Sequence, residues 1–315
     1  MDFWVVLTVL AIIGGGFVIL FVRPDIAWDK LRLAYSLPES QFIDIGGGIT
    51  VHVRDTGPKN APALVLLHGF GASVHTWIGW TRLLDIQRRV VSLDLKGFGL
   101  TSAPIGSGMT EPDQVDLVAK TLDKLGIQRF ALLGHSLGGA IAWRFALAHP
   151  TRLTALVLSG AMGRPPAAYQ KNLDRYKKLA DNPIIKASVP WLMSRFFIAR
   201  GMVNGFANPS LATPERIARA EMLSRGEGQR RHLLTMLSSL KSDTAHLDLT
   251  LLAVPTLIMH GTDDKLVPVA AGQALAEAIP GAQLRLYPGI GHVLQEELVE
   301  EGATDLADFL TQAGG

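Results

Sequence analysis

Gly134-His135-Ser136-Leu137-Gly138 lies directly after the apolar run Phe130–Leu133 and directly before the helix-forming run Ala140–Ala148. No other stretch constrains the chain as strongly. A serine on a tight strand-to-helix turn projects its hydroxyl above the edge of a sheet, and small flanking residues keep that strained turn free of clashes. The helix that follows adds unpaired N–H groups and positive potential close to where an oxyanion would form. G-x-S-x-G arises by chance in a glycine-rich chain, but in a strand–turn–helix context it is specific.

The surrounding pattern supports that context. Ile49–Val53, Leu64–Leu67, Val90–Leu93, Phe130–Leu133, Ala155–Leu158, Thr256–Met259 and Gln283–Leu286 read as strands, separated by helical stretches such as Asp113–Leu125 and Gly138–Ala148. Such alternation predicts an α/β fold: a mostly parallel central sheet with helices on both faces. The alternation breaks between Ala155–Leu158 and Thr256–Met259, where 163–247 reads as a helical insertion. The predicted organisation is therefore 42–162 and 248–315 as the core, 163–247 as a helical cap, 23–41 as a linker and 1–22 as an N-terminal anchor.

Composition excludes several classes. The 315 residues are 48% hydrophobic and 18% charged, enough to build a core and too apolar for wholesale disorder. A net charge of +2 argues against nucleic acid as a partner. Without cysteine, disulfides, thiolate catalysis and cysteine-bound zinc are ruled out. No His-x-x-x-His or carboxylate cluster suggests a metal, and nothing calls for a cofactor.

A nucleophilic serine needs a base and a group that orients the base. Of nine histidines, only His292 follows the last strand, in the flexible loop Gly289-Ile290-Gly291-His292. Asp263 and Asp264 follow Thr256–Met259, and the order Ser136, Asp264, His292 is one of the known triad orders. Ser159-Gly160-Ala161-Met162, after the preceding strand, offers no carboxylate. His68-Gly69-Phe70-Gly71 follows Leu64–Leu67; this turn can present the Phe70 N–H beside that of Leu137 as an oxyanion hole, with His68 supporting the turn.

Together, His68-Gly69-Phe70-Gly71, the Ser136 elbow, Gly261-x-x-Asp264-x-x-Val267-Pro268 and Gly291-His292 resemble the α/β-hydrolase superfamily over roughly Phe42 to Leu310. The resemblance implies Ser136 as nucleophile, His292 as general base and acid, and Asp264, three residues before the Val-Pro pair, as the orienting acid. A serine elbow argues against the branches resembling haloalkane dehalogenases and epoxide hydrolases, which use aspartate there. In Asp94-Leu95-Lys96-Gly97-Phe98-Gly99, Lys96 stands where the superfamily usually has proline, which cautions against transferring a substrate. The implied activity is a serine hydrolase of carboxylic esters, similar to lipases and monoacylglycerol lipases. Alternatives are a carbon–carbon bond hydrolase resembling the meta-cleavage product hydrolases and, from another class, a slow-turnover ligand receptor.

Two features shape the expected surroundings. Phe3–Val22 is twenty residues without a charge, long enough at ~1.5 Å per residue to span a bilayer as a transmembrane helix. Only Asp2 precedes it, which argues against a cleaved signal peptide, while Arg23, Lys30 and Arg32 follow and lean the catalytic domain to the cytoplasmic side. The second feature is the insertion: residues 164–247 hold fourteen Lys or Arg against six Asp or Glu and include the apolar run Val189–Ile198. A solvated basic face over an apolar cap core competes with a lipid-docking surface whose apolar helix lines an acyl pocket. The expected partners are a small-molecule or lipid ester substrate and a membrane.

Overall fold

The computed structural model describes residues 23–163, 174, 177–192, 195–239 and 248–314, without the side chains of 189–192. Eight strands form one sheet: β1 (Ser40–Asp44), β2 (Thr50–Thr56), β3 (Ala63–Leu67), β4 (Arg89–Leu93), β5 (Phe130–His135), β6 (Leu153–Ser159), β7 (Thr256–Gly261) and β8 (Gln283–Tyr287). Their order is β1-β2-β4-β3-β5-β6-β7-β8. β1 pairs antiparallel with β2 and β2 antiparallel with β4, whereas the pairings from β4 through β8 are parallel.

The inner parallel strands β3, β5, β6 and β7 are largely apolar and buried because helices cover both faces. On one face Val65, Leu67, Leu132, Leu156 and Ile258 pack against helices α3 (Glu111–Lys124) and α4 (Leu137–Ala148), reached through Val118, Leu122, Ile141 and Phe145. On the other, Leu64, Leu66, Leu133, Val157 and Met259 meet Trp80 and Leu84 of α2 (Ile78–Leu84) and Leu306, Phe309 and Leu310 of the C-terminal helix, Val299–Gln312. Adjacent residues of one strand thus serve opposite cores, as the period of two requires. Helix α3 starts at a full capping box, with Thr110 and Asp113 answering each other's N–H and Pro112 in the first turn.

Sequence reading places no strand at Ser40–Asp44, where two adjacent apolar residues show no alternation. The strand forms because Gly46, Gly47 and Gly48 take φ values of 87°, 64° and 73°, which turn the chain back so that β1 pairs with β2 from Ser40↔Arg54 to Asp44↔Thr50. The segment 23–41, expected as a linker, carries helix α1 (Trp28–Tyr35) and straps the insertion to the core. Ile26 N donates to Arg225 O at 2.7 Å, and Asp25 accepts from Arg230 at 2.6 Å and from Gly228 N at 3.1 Å.

Between β6 and β7 the described residues form helices α5 (Pro183–Leu192), α6 (Arg195–Gly205), α7 (Pro214–Ser224) and α8 (Gln229–Ser239). The apolar run Val189–Ile198 is divided between α5 and α6, and Phe196 and Phe197 are 66% and 67% exposed, so these two rings do not line an enclosed pocket.

The expected transmembrane anchor at 1–22 lies outside the described residues. Among the described residues no helix is long and apolar enough to cross a membrane. The longest of the helices named above have 14 residues, about 21 Å against the ~30 Å hydrocarbon layer. The single-pass membrane location with a cytoplasmic lean, and the membrane as partner through that helix, are corrected on this finding and withdrawn.

Asp94, directly after β4, is fully buried and ties the core to its loops. Its carboxylate accepts from Val74 N and Leu100 N, each at 2.7 Å, and from His52 Nδ1 at 2.6 Å. Leaving a buried donor unanswered costs about 1–3 kcal/mol, and Asp94→Ala leaves three. The variant is expected to lose at least ~3 kcal/mol in urea unfolding, with Asp94→Asn in between; a loss below ~1 kcal/mol for the alanine variant would show that the loops do not depend on this carboxylate.

Candidate active site

Strand β5 ends at His135, helix α4 begins at Leu137, and Ser136 between them sits at φ 54°, ψ −114°. A non-glycine residue at positive φ is strained and persists only where its surroundings over-determine it. Three backbone bonds hold it here: Ser136 N to Ser159 O at 3.0 Å, Ala140 N to Ser136 O at 3.1 Å and Met162 N to Ser136 O at 3.1 Å. The flanking glycines are required by close packing. A Cβ on Gly134 would lie 2.2 Å from Gly138 O, and one on Gly138 2.3 Å from Leu67 O.

The turn after β3 runs against the nucleophile candidate, since a Cβ on Gly69 would lie 3.0 Å from Ser136 Cβ. His68 secures it: Nδ1 donates to Gly69 O at 2.7 Å, and Nε2 accepts from Leu95 N at 3.0 Å. Complete burial lowers the His68 pKa, which keeps it neutral in both roles. Phe70 follows with its ring edge-on to Phe98 at 5.3 Å. Leu137 is the first residue of α4, so its N–H has no partner within the helix. Gly69, one residue before Phe70, and Leu137 thus approach Ser136 from two different parts of the chain.

The structure brings Asp264 and His292 together across 28 residues of sequence. His292 Nδ1 donates to Asp264 Oδ2 at 2.7 Å, which leaves Nε2 as the basic nitrogen. Oδ1 of Asp264 accepts from Leu266 N and Val267 N, both at 2.8 Å. Burial alone would raise the Asp264 pKa, but the nearby His260 ring, the hydrogen bond and charge of His292 and the Val267 N–H hold it well below the ordinary carboxylate range. Such a carboxylate contributes stability that is complete above an ordinary aspartate pKa of ~3.9 and lost only as pH falls below it. Its charge thus persists through neutral and mildly acidic pH. Asp263 is exposed, and its carboxylate accepts from the Thr262 hydroxyl at 3.0 Å.

His135 packs against His292, the candidate base. Its Nε2 donates to His292 O at 2.9 Å, and the two ring centroids are 4.7 Å apart. Burial first, then the neighbouring His292, lower its pKa to about 3, so it stays neutral. Two contributors have no role in the sequence reading. His260 places Nε2 3.4 Å from Asp264 Oδ2. Glu297, five residues after His292, accepts from Gly291 N at 3.0 Å. Their only sequence signal is proximity to Asp264 and His292, which does not reveal a contact.

These contacts separate the two aspartates. Asp264→Asn is expected to lower kcat by about 10⁴, as loss of the orienting carboxylate does in the serine-protease triad, whereas Asp263→Asn stays within a few-fold of wild type. Steady-state kinetics of both variants on one substrate decide it, and a reversed order would exclude Asp264 from the site.

Comparison with known proteins places this geometry. A model of the alpha/beta hydrolase fold family matches residues 62–298. The chain is 29% identical over 283 residues to the 2-hydroxy-6-oxononadienedioate/2-hydroxy-6-oxononatrienedioate hydrolase of Cupriavidus pinatubonensis, covering 86% of this chain and 95% of that one. Monoacylglycerol lipase abhd6-B of Xenopus laevis is 25% identical over 262 residues, covering 81% and 77%. A solved structure of a thermophilic esterase from Thermogutta terrifontis aligns with a TM-score of 0.70 at 25% identity, over 87% of this chain and 98% of the esterase. With the family match running from the start of β3 to beyond His292, the protein belongs to the α/β-hydrolase fold family and is a hydrolase.

Proposed function

We propose that this hydrolase cleaves carboxylic esters of lipophilic substrates through an acyl-enzyme on Ser136. The observation that carries the reading is the 2.7 Å His292–Asp264 bond, together with a serine held at φ 54° on its elbow. In this mechanism His292 Nε2 takes the Ser136 proton as Oγ attacks the ester carbonyl. The oxyanion of the tetrahedral intermediate receives the N–H groups of Phe70 and Leu137, and one such donor is worth about 3 kcal/mol in the transition state. His292 then passes its proton to the departing alkoxide, and the alcohol leaves. Water, deprotonated by His292, attacks the acyl-enzyme, and the carboxylic acid departs as the proton returns to Ser136 Oγ. Asp264 keeps Nδ1 protonated throughout and stabilises the imidazolium.

The lipophilic preference rests on the cap, proposed as 163–247 over a core of 42–162 and 248–315. Ile184, Phe196 and Phe197 expose large apolar surface on α5 and α6, and Phe196 and Phe197 pack edge to face at 5.7 Å. Such a surface suits acyl chains better than charged substrates.

A second reading, hydrolysis of a carbon–carbon bond in a 2-hydroxy-6-oxo-dienoate, is favoured by the near full-length similarity to the Cupriavidus dienedioate hydrolase. The surplus of eight positive charges over residues 164–247 would suit an anionic substrate. There the leaving group is a carbon acid and must be protonated at carbon.

One experiment separates the readings. Purified protein is assayed on a p-nitrophenyl ester series of rising acyl length and on a 2-hydroxy-6-oxo-dienoate whose chromophore is lost on cleavage. The ester reading expects kcat/KM to be higher for the esters and to rise with acyl length; a larger value for the dienoate overturns it. In either case Ser136→Ala is expected to lower kcat by about 10⁶ and to abolish labelling by a fluorophosphonate. Labelling that persists on another serine would remove Ser136 from the mechanism.

A further inference from the structure

The loop that carries His292 is bonded to the cap as well as to the sheet. His292 N donates to Gly205 O, at the end of α6, at 2.8 Å. The Glu297 carboxylate lies beside this bond and spans the same junction. Oε1 accepts from Gly291 N at 3.0 Å, on the histidine loop, and Oε2 accepts from Ala207 N at 2.9 Å, just beyond α6. The two backbones are in close contact: a Cβ on Gly291 would lie 2.4 Å from Ala207 N and 2.9 Å from Gly205 O. Only glycine fits there, and it does so with one carboxylate bridging both N–H groups.

The neighbouring residue makes a parallel link. Glu296 accepts from Thr76 Oγ1 at 2.5 Å on the core side and pairs with Arg216 Nη1 of α7 at 3.0 Å on the cap side. Glu297 differs in that, among the described residues, its recorded partners are backbone N–H groups alone, so its contribution is to hold main chain in place. A main-chain brace one residue from His292 acts on the imidazole directly, because the backbone of residue 292 fixes where the ring can point.

We propose that Glu297 is a positioning residue for the base: its carboxylate clamps the His292 loop to the cap segment 205–207, so the imidazole keeps its place only while the cap is seated. The proposal rests on His292 being the base. A cap lifted to admit substrate withdraws the Gly205 carbonyl and one N–H ligand of Glu297, and the histidine loop loses two of its holds together. Chemistry then follows cap closure, and the site is fully assembled only when the cap has returned.

Glu297→Gln tests the brace with little change in volume. A carboxamide has one oxygen and one NH₂, so it answers either Gly291 N–H or Ala207 N–H and turns a donor towards the other. The expected result is a fall in kcat of roughly 10- to 100-fold, the scale of a misplaced catalytic group, with KM within about threefold and a Tm close to wild type. Fluorophosphonate labelling of Ser136 should slow in step with kcat. In a His292→Ala background the same substitution should leave the residual rate unchanged, because no imidazole remains to be positioned. A kcat within about twofold of wild type, or additive effects of the two substitutions, overturns the proposal. If Glu297→Gln does not fold, amide hydrogen exchange of the wild-type protein supplies the test: Ala207, Gly291 and His292 should open as one unit with one free energy. Independent opening of Ala207 overturns the brace. Failure of the underlying reading shows separately, as a His292→Ala variant with wild-type turnover, and removes the proposal with it.

Discussion

The approach of helix α4 to strands β3 and β5, closer than any side chain permits, is the constraint on which the rest of the structure depends. Gly134 and Gly138 let the chain reverse at Ser136 with backbone almost touching backbone, and Leu67 O lies where a Cβ on Gly138 would be. A strained φ at Ser136 survives because the parallel sheet around it is buried on both faces and cannot relax locally. The same packing sets the loop after β3 against the serine, so candidate nucleophile and candidate oxyanion donors are placed by one act of folding. Rigidity here comes from the sheet, and the loops inherit it.

Charge around the site is arranged by burial and by hydrogen bonds. His68 and His135 are held neutral by desolvation, which lets each act as a fixed donor to a backbone carbonyl. Asp94 and Asp264 go the other way. Both are buried, which alone would raise their pKa, and both are returned below the ordinary range by histidine partners and backbone N–H groups. Asp94 uses its charge to tie loops together beneath the sheet edge. Asp264 directs its charge at one imidazole nitrogen. The chemistry of the two carboxylates is the same, and their roles differ because of where the chain puts them.

The cap meets the core through the segment just after His292. Glu296 reaches both Thr76 and Arg216, Glu297 reaches both Gly291 and Ala207, and His292 donates its own N–H to Gly205 O. On the other side of the insertion, Asp25 and Ile26 tie the N-terminal segment to Arg230 and Arg225. The helices between β6 and β7 are also bonded to the loop after β4, through Gln229 to Gly99 O and His232 to Pro104 O, so the loop of the candidate base is one of several fastenings. The seat of the cap and the geometry of the site belong to one network.

Much of this was readable in the residues. Seven of the eight strands follow from short apolar runs, and the elbow, the turn after β3 and the aspartate and histidine loops are visible as local patterns, because each depends on glycine placement and polarity within a few residues. β1 was hidden because its pairing is set by a glycine turn and not by its own periodicity. The apolar run Val189–Ile198 reads as cap core or as a helix lining an acyl pocket, yet the structure divides it between α5 and α6 and exposes Phe196 and Phe197, since which face is buried depends on neighbours far along the chain. Only the tertiary structure chose Asp264 over Asp263 on contact grounds, placed His260 beside it and carried Glu297 to the cap. Spacing along a chain fixes turns and helix faces, but a carboxylate's partner is decided by which distant backbone the fold brings within 3 Å of it.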